Sequence, residues 1–567
     1  MNRFFCICIS IIGLFFISCK NHIKERDFNF KITSPQENWI FYTDFPILFS
    51  TNIRDSEINW YSSLDGFLGK GNGFSFILSE GNHIISAKSL DKKASVEISV
   101  LSNKLRNESI LTYRINKLNQ DLHVQKGNYK SLIYSFAGSA KKFGFSNTER
   151  KNSNYNQNTF QSNFIRKDFS LKQFVPLSKL KICEKTNKNR SVVAENQTTK
   201  KFYVINTKNQ LEKPHILKAE IFDSGNSYTI WKPVDIKLNE ELINQLKSNF
   251  ENIIFPRTQK IFGTWADVDG DGKITILLCP SINQEKVAIG YFNPADLFTK
   301  NEDFTNESYN PYSNEMDIVY LAVPEISDAG SYGINSISAT LAHEFTHAIT
   351  FNQKTFKHLL KGNKNRNQEE LFLDEGLSHL SENLCGFSVS GGNIAFLSHF
   401  FNDTASISFC KENIYGQNDS VGNRGAMVLF LSWLYRKSPN GNAFLQKILS
   451  SENFGWNCIG EAYGTPTDSL FKTFIEDIAI AYKNNLSFIS EIDSVTGEPL
   501  HFFCNMGEYN FGDNVYSIKF PKLYNATEKI DVLPYSFCLL NQFDFENIFP
   551  LKTECMSITD SVFIGLF

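Results

Sequence analysis

One run of eight residues, Thr340 to His347, limits what this chain can be more than any other part of it. It reads Thr340-Leu341-Ala342-His343-Glu344-Phe345-Thr346-His347, with two histidines four positions apart framing a glutamate. On an α-helix, residues four apart lie one turn above each other, so both imidazoles can face a single ion while Glu344 stands within reach of a reacting water. Ile337, Leu341, Phe345 and Ile349 recur every four residues on the opposite side, which gives the helix one face to bury and leaves the other to line a cleft. Packing the same pattern as ordinary core would oblige three polar groups to find partners. The spacing therefore points to a metal helix, and zinc is the ion that suits it.

A catalytic zinc takes three protein ligands and keeps one position open, so a third ligand should come from another element. Between Leu371 and Gly386, Leu373, Leu377, Leu380 and Leu384 form an apolar stripe while Glu375, His379 and Glu382 share the other face of a second helix. Glu375 lies 28 positions beyond His347, which leaves room for a Lys- and Asn-rich loop through the 360s and a returning helix. Glu375 is the first candidate for third ligand and His379 its rival. His379 and Glu382 otherwise suit hydrogen-bonded support of the ligands.

Together with the upstream Asp267-Val268-Asp269-Gly270-Asp271-Gly272-Lys273-Ile274, these two stretches resemble the hyicolysin family of neutral zinc metallopeptidases, which are glutamate-ligand zincins. The likeness runs from about His215 to Asn485 and takes in Gly290-Tyr291-Phe292 and the helical stretch from Leu470 to Tyr482. It implies a zincin-type domain with a mixed sheet and a mostly helical C-terminal subdomain, His343, His347 and Glu375 as zinc ligands, and Glu344 as the catalytic glutamate. One departure stands out. The family carries a Tyr-Gly ahead of the helix that follows the metal region, whereas this chain reads Val421-Gly422-Asn423-Arg424-Gly425-Ala426, which leaves Tyr415 and Arg424 as candidate donors to an oxyanion. Peptide hydrolysis through an activated water is the implied reaction. The chain has no Gly-x-Met-Glu-Asn string of the kind aminopeptidases use to hold a free amino terminus, which favours internal cleavage.

Asp267, Asp269 and Asp271 followed by Gly272 offer three oxygen ligands and a sharp turn, but position twelve of the loop is Leu278 where an EF-hand has its bidentate glutamate. Two readings stay open: a structural Ca2+ with ligands borrowed from elsewhere, and a tight β-turn with solvated carboxylates.

A length of 567 residues exceeds what one core supports, and a net charge of −3 gives no nucleic-acid footprint. The expected class is multidomain α+β. Residues 1–18 read as an export signal, with an apolar stretch from Phe4 to Ile17 too short to span a bilayer comfortably. It ends in Phe16-Ile17-Ser18-Cys19, similar to a bacterial lipobox, so Cys19 is the expected lipidation site and membrane anchor of an exported envelope lipoprotein. Residues 19–27 read as a tether. Residues 28–101 alternate in short strands like an immunoglobulin-like β-sandwich with Trp60 in its core. Residues 102–214 read as a β-rich segment with loops at Asn147–Asn163 and Lys185–Lys201, residues 215–485 as the metallopeptidase domain, and residues 486–567 as a further β-rich segment. Eight cysteines follow Cys19, which permits disulfides in an exported chain, Cys385 with Cys410 among them. The expected partners are protein or peptide substrates and a membrane. Two rival functions fit the same residues: a surface-binding or adhesive lipoprotein with a vestigial zinc site, and a zinc hydrolase of non-peptide bonds.

Overall fold

Between Ile32 and Leu101, alternation of apolar and polar residues produces strands whose inward side chains meet in one core. A three-stranded sheet (Ile32–Ser34, Ile47–Thr51, Phe74–Phe76) and a five-stranded sheet (in order Trp39–Tyr42, Lys92–Leu101, Gly81–Ser89, Asn59–Ser62, Gly66–Lys70) both contribute to it. Trp60 is fully buried there, edge-on to Phe49 at 5.4 Å, and its indole N–H donates to the Gly71 carbonyl at 2.8 Å.

This computed structural model describes most of residues 30–566. Outside the description lie 1–29, 102–109, 123–127, 146–176, 184–198, 327–331, 364–366, 411–418, 484–490, 501–506, 545–550, 567 and stretches of one to four residues elsewhere. The export signal, the tether, Cys19, the loop Asn147–Asn163 and Tyr415 fall among them. Among the described residues, no helix is long and apolar enough to cross a membrane.

The two β-rich segments set apart in the sequence are joined by strand pairing. One sheet runs Leu523–Tyr524, Phe537–Asp544, Asn128–Tyr134, Val562–Leu566, Leu111–Ile115, and a second runs Asn119–Leu122, Leu551–Glu554, Ser139–Phe145, Ile530–Val532. Each strand from 111–145 thus satisfies its backbone against a partner roughly four hundred residues away, a pairing that local alternation does not encode.

At the centre is a six-stranded mixed sheet in the order Thr199–Val204, His215–Ser224, Tyr228–Pro233, Ile274–Leu278, Ile318–Leu321, Gly290–Phe292. Its middle three strands are parallel and the rest antiparallel. The sheet therefore begins at Thr199, before the expected boundary at 215 and inside what read as the loop Lys185–Lys201. Asn239 caps the helix Glu240–Asn249 by accepting from the Glu241 and Leu242 amides at 3.0 and 3.3 Å. That helix goes on through a wide turn, Phe250–Ile254, into Phe255–Phe262, and Pro256, which has no N–H to donate, stands directly after the wide turn.

The histidine helix, Ile334–Phe351, buries Ile337, Leu341, Phe345 and Ile349 completely, each contributing about 2 kcal/mol relative to exposure. Phe345 packs on Phe250, Phe255 and Trp265 with ring centroids 5.4, 6.0 and 5.6 Å away. The opposite face, which carries the two histidines, packs against the polar face of the glutamate helix (Leu371–Leu384), the arrangement expected of two amphipathic helices meeting with their polar faces opposed. Behind the glutamate helix come Asn393–Asn402 and Val421–Lys437, followed by three more helices to Lys483, which matches the expected helical C-terminal part.

The histidine helix continues into a wide turn, Asn352–Phe356, that carries a fully enclosed lysine. Lys354 Nζ donates to the carbonyls of Ile448, Ser451 and Asn453 at 3.1, 3.1 and 2.6 Å and pairs with Glu369 Oε2 at 3.2 Å. Glu369 also accepts the Gly455 amide at 2.7 Å and stands just ahead of the glutamate helix. This clamp ties the end of one helix to the start of the other. Cys279, Cys385, Cys458 and Cys538 are buried free thiols, so the Cys385–Cys410 bridge does not form; burial pushes the Cys385 thiol up to about 12.

Removing one partner of a buried ion pair strands the other, at about 3–5 kcal/mol. Lys354→Met should therefore lower the thermal midpoint by several degrees, and adding Glu369→Gln should recover part of the loss in the same melting experiment.

Candidate metal centre

Four-residue spacing on the histidine helix stacks the two imidazoles, whose Nε2 atoms lie 3.1 Å apart. Facing them across the helix pair, Glu375 places Oε2 3.3 Å from His343 Nε2 and 3.9 Å from His347 Nε2. Ligand atoms bound tetrahedrally to zinc at 2.0–2.1 Å are separated by roughly 3.3–3.4 Å, so this triangle is of the size the ion requires.

The far nitrogen of each imidazole is engaged by a carboxylate. His343 Nδ1 lies 2.7 Å from Glu382 Oε1, and His347 Nδ1 lies 2.9 Å from Asp374 Oδ2 with Ser378 Oγ at 3.2 Å. With a proton on Nδ1 directed at the carboxylate, the Nε2 lone pair of each ring is directed at the shared point. His343, Glu344 and Glu375 are almost excluded from water, while His347 and Asp374 keep 12% and 27% of their side-chain surface. Solvent thus reaches the cluster from the His347 side.

The rival ligand is close as well. His343, Glu375 and His379 offer donor atoms that all lie within 4.8 Å of one another. His379, however, has Nδ1 3.1 Å from the Glu382 oxygen that His343 uses, and its ring leans on His343 with centroids 4.5 Å apart. Glu382 therefore sits between two histidines. Nothing in the sequence reading assigns Asp374 a role. Its position one residue before Glu375, on the turn facing His347, is the signal that could have assigned one.

Burial alone would pull the His347 pKa down. The charge and hydrogen bond of Asp374, then the charges of Glu375 and Glu344, outweigh burial and raise it to about 10. Arg424, one of the two candidate oxyanion donors, lies buried in the first turn of the helix Val421–Lys437, with Nη1 2.9 Å from Glu375 Oε2. Tyr415 is outside the described residues.

The acidic loop is a separate feature at the back of the histidine helix. Its three carboxylates lie within 4.8 Å of one another, and they accept backbone amides of their own turn: Gly270 on Asp267 at 2.8 Å, Asp271 on Asp269 at 3.4 Å, Lys273 on Asp271 at 2.8 Å. Burial, then the charges of Asp271 and Asp267, push Asp269 up to about 7. Those hydrogen bonds are what a tight turn requires. A cavity of about 1250 Å3 between Leu177–Cys183, Thr264–Val268 and the end of the histidine helix shares no residue with the metal triangle.

No family model matches the sequence. Among curated proteins, the neutral metalloprotease ShpI of Staphylococcus hyicus is 26% identical over 319 residues, covering 53% of this chain and 66% of the relative, just under two thirds of its length. The chain thus has a distant homologue among the metalloproteases, and the implied metal agrees with the donor set described above.

A metal must displace the proton from His347 before that nitrogen can bind it. Zinc uptake at pH 7 should therefore release a proton, and zinc affinity should rise with pH, by up to about tenfold per unit, until the pH reaches about 10, where His347 has lost its proton. Asp374→Asn should lower the His347 pKa and flatten that slope above neutrality. Chelator competition across pH and calorimetry in buffers of different ionisation enthalpy would measure both.

Proposed function

We propose that this protein is a zinc-dependent endopeptidase in which His343, His347 and Glu375 bind the metal and Glu344 is the general base. The observation that carries this reading is the triangle of His343 Nε2, His347 Nε2 and Glu375 Oε2, each imidazole braced by a carboxylate on its other nitrogen. The distant metalloprotease homologue supports it. Its 26% identity and partial coverage leave the activity, substrates and zincin-type arrangement as parts of the proposal.

A zinc ion so held supplies Lewis acidity, acidifying a water and polarising a peptide carbonyl. Glu344, next to the first histidine and nearly buried, accepts the water proton and later delivers it to the leaving amine. Glu382 and Asp374 keep the imidazoles in the tautomer whose Nε2 is the ligand. His379 belongs to this supporting layer. On this reading the unit working on substrate is the central sheet with its helices, preceded by an immunoglobulin-like module of 28–101 that spaces it from a membrane anchor at Cys19.

Purified protein should cleave casein and lose that activity to a chelator. Glu344→Gln keeps size and helix propensity but cannot take the proton, so its rate should fall by about two to four powers of ten while zinc stays bound. His343→Ala and His347→Ala should lose zinc along with activity. Near-normal cleavage by Glu344→Gln would rule out the mechanism, and metal analysis of the three variants separates base from ligands.

The anchor is tested by itself. Cys19→Ser should release the protein from membranes into the soluble fraction, and unchanged partitioning into detergent would exclude lipidation at that residue.

A further inference from the structure

We propose that Arg424 is a positioning residue of the metal centre, which holds Glu375 in its ligating pose while Asp419 in turn holds Arg424. The inference rests on the reading of Glu375 as a zinc ligand.

The guanidinium bridges two carboxylates. Its Nε and Nη2 donate to Asp419 Oδ1 and Oδ2 at 2.9 and 2.7 Å, and its Nη1 lies 2.9 Å from Glu375 Oε2. A two-point bond to Asp419 fixes the plane of the guanidinium and so delivers Nη1 to one defined place. That place is the oxygen lying 3.3 Å from His343 Nε2 and 3.9 Å from His347 Nε2. A glutamate side chain has several rotatable bonds that a metal must otherwise order on binding. Here they are ordered in advance.

The chain is shaped for this contact. Gly376 follows Glu375 where the glutamate helix meets Val421–Lys437, and a Cβ at that position would collide with the Met427 side chain. Met427 is three residues along from Arg424, so the close approach sets the arginine over the carboxylate. Arg424, Glu375 and Asp419 are all largely shielded from water, which strengthens the bridge. The sign of the effect on metal binding follows from the charges. Arg424 alone would repel a dication, but Asp419 offsets it, so ordering of Glu375 dominates and loss of the arginine weakens zinc binding.

The test is the zinc dissociation constant of the metal-stripped full chain, read by competition with a chromophoric chelator for wild type, Arg424→Gln and Arg424→Lys. Arg424→Gln should weaken zinc by about 10- to 100-fold, the effect typical of partners that orient metal ligands. Arg424→Lys should be nearly as weak, because an ammonium cannot span both carboxylates. Activity lost at limiting zinc should return at excess zinc. Wild-type zinc affinity in Arg424→Gln would overturn the proposal; if kcat fell at that unchanged affinity, Arg424 would instead be an oxyanion donor. Should far-UV circular dichroism show Arg424→Gln unfolded, Asp419→Asn decides, with weakened zinc supporting the proposal and unchanged zinc overturning it. A wild-type chain that takes up no zinc would sink the parent reading, and this one with it.

Discussion

Two helices bring glutamates and histidines into a seam nearly free of water, and the cost of burying charge there governs how the helices can meet. Glu375 keeps 6% of its side-chain surface, His343 3%, and Glu382 and His379 none. A carboxylate in such a place has to find cations or donors, or else give up its charge. The geometry of the seam follows from how that need is met. Glu382 lies between His343 and His379, Asp374 meets His347, and Arg424 reaches Glu375 from a third helix. Even the backbone gives way. A Cβ on Gly391 would overlap Glu382 Oε2, so a glycine at that point is what leaves the carboxylate its room.

The same rule operates one turn beyond the histidine helix. Lys354 is as enclosed as any side chain of the core, and it is tolerated because Glu369 and three carbonyls surround it. The carbonyls of Ile448 and Ser451 come from the C-terminal end of the helix Gly441–Ser450, where the helix dipole favours a cation. The clamp therefore joins three helices, and the two that carry the metal-binding candidates are held at both ends of the loop between them.

How much of this could be read from the sequence depended on whether the signal was local. The stacked histidines and the two apolar stripes are properties of a single helix period, and they appear where Ile337 to Ile349 and Leu373 to Leu384 place them. Glu382 was legible as a polar neighbour of the candidate site because it shares a face with Glu375. Arg424 stood out only as a candidate oxyanion donor, since nothing in Val421–Ala426 announces that a distant glutamate will sit above it. Lys354 carries no signal in the sequence for the same reason. The largest departure, the union of 111–145 with 523–566, comes from backbone pairing between strands whose neighbours are chosen by the fold of everything between them.

That union bears on the metal centre. Residues 177–483 lie in sequence between the two halves of the β unit, so the central sheet and its helices are held by their flanks rather than hung from one end. A second tie is more direct. Arg257, on the helix that backs Phe345, pairs with Asp493 at 2.6 Å and donates to the carbonyl of Leu384, the last residue of the glutamate helix, at 3.2 Å. Thr496 adds a hydrogen bond to the Gly386 carbonyl at 2.6 Å. The segment after 485 thus fastens the C-terminal end of the glutamate helix, while Lys354 and Glu369 fasten its start. A helix fixed at both ends cannot slide by a turn, and a slide of one turn is what would exchange His379 for Glu375 at the centre. If Glu375 is the third ligand, as proposed, the choice between it and His379 is in this sense made outside the candidate centre, by a lysine, an arginine and a stretch of chain that carries no motif.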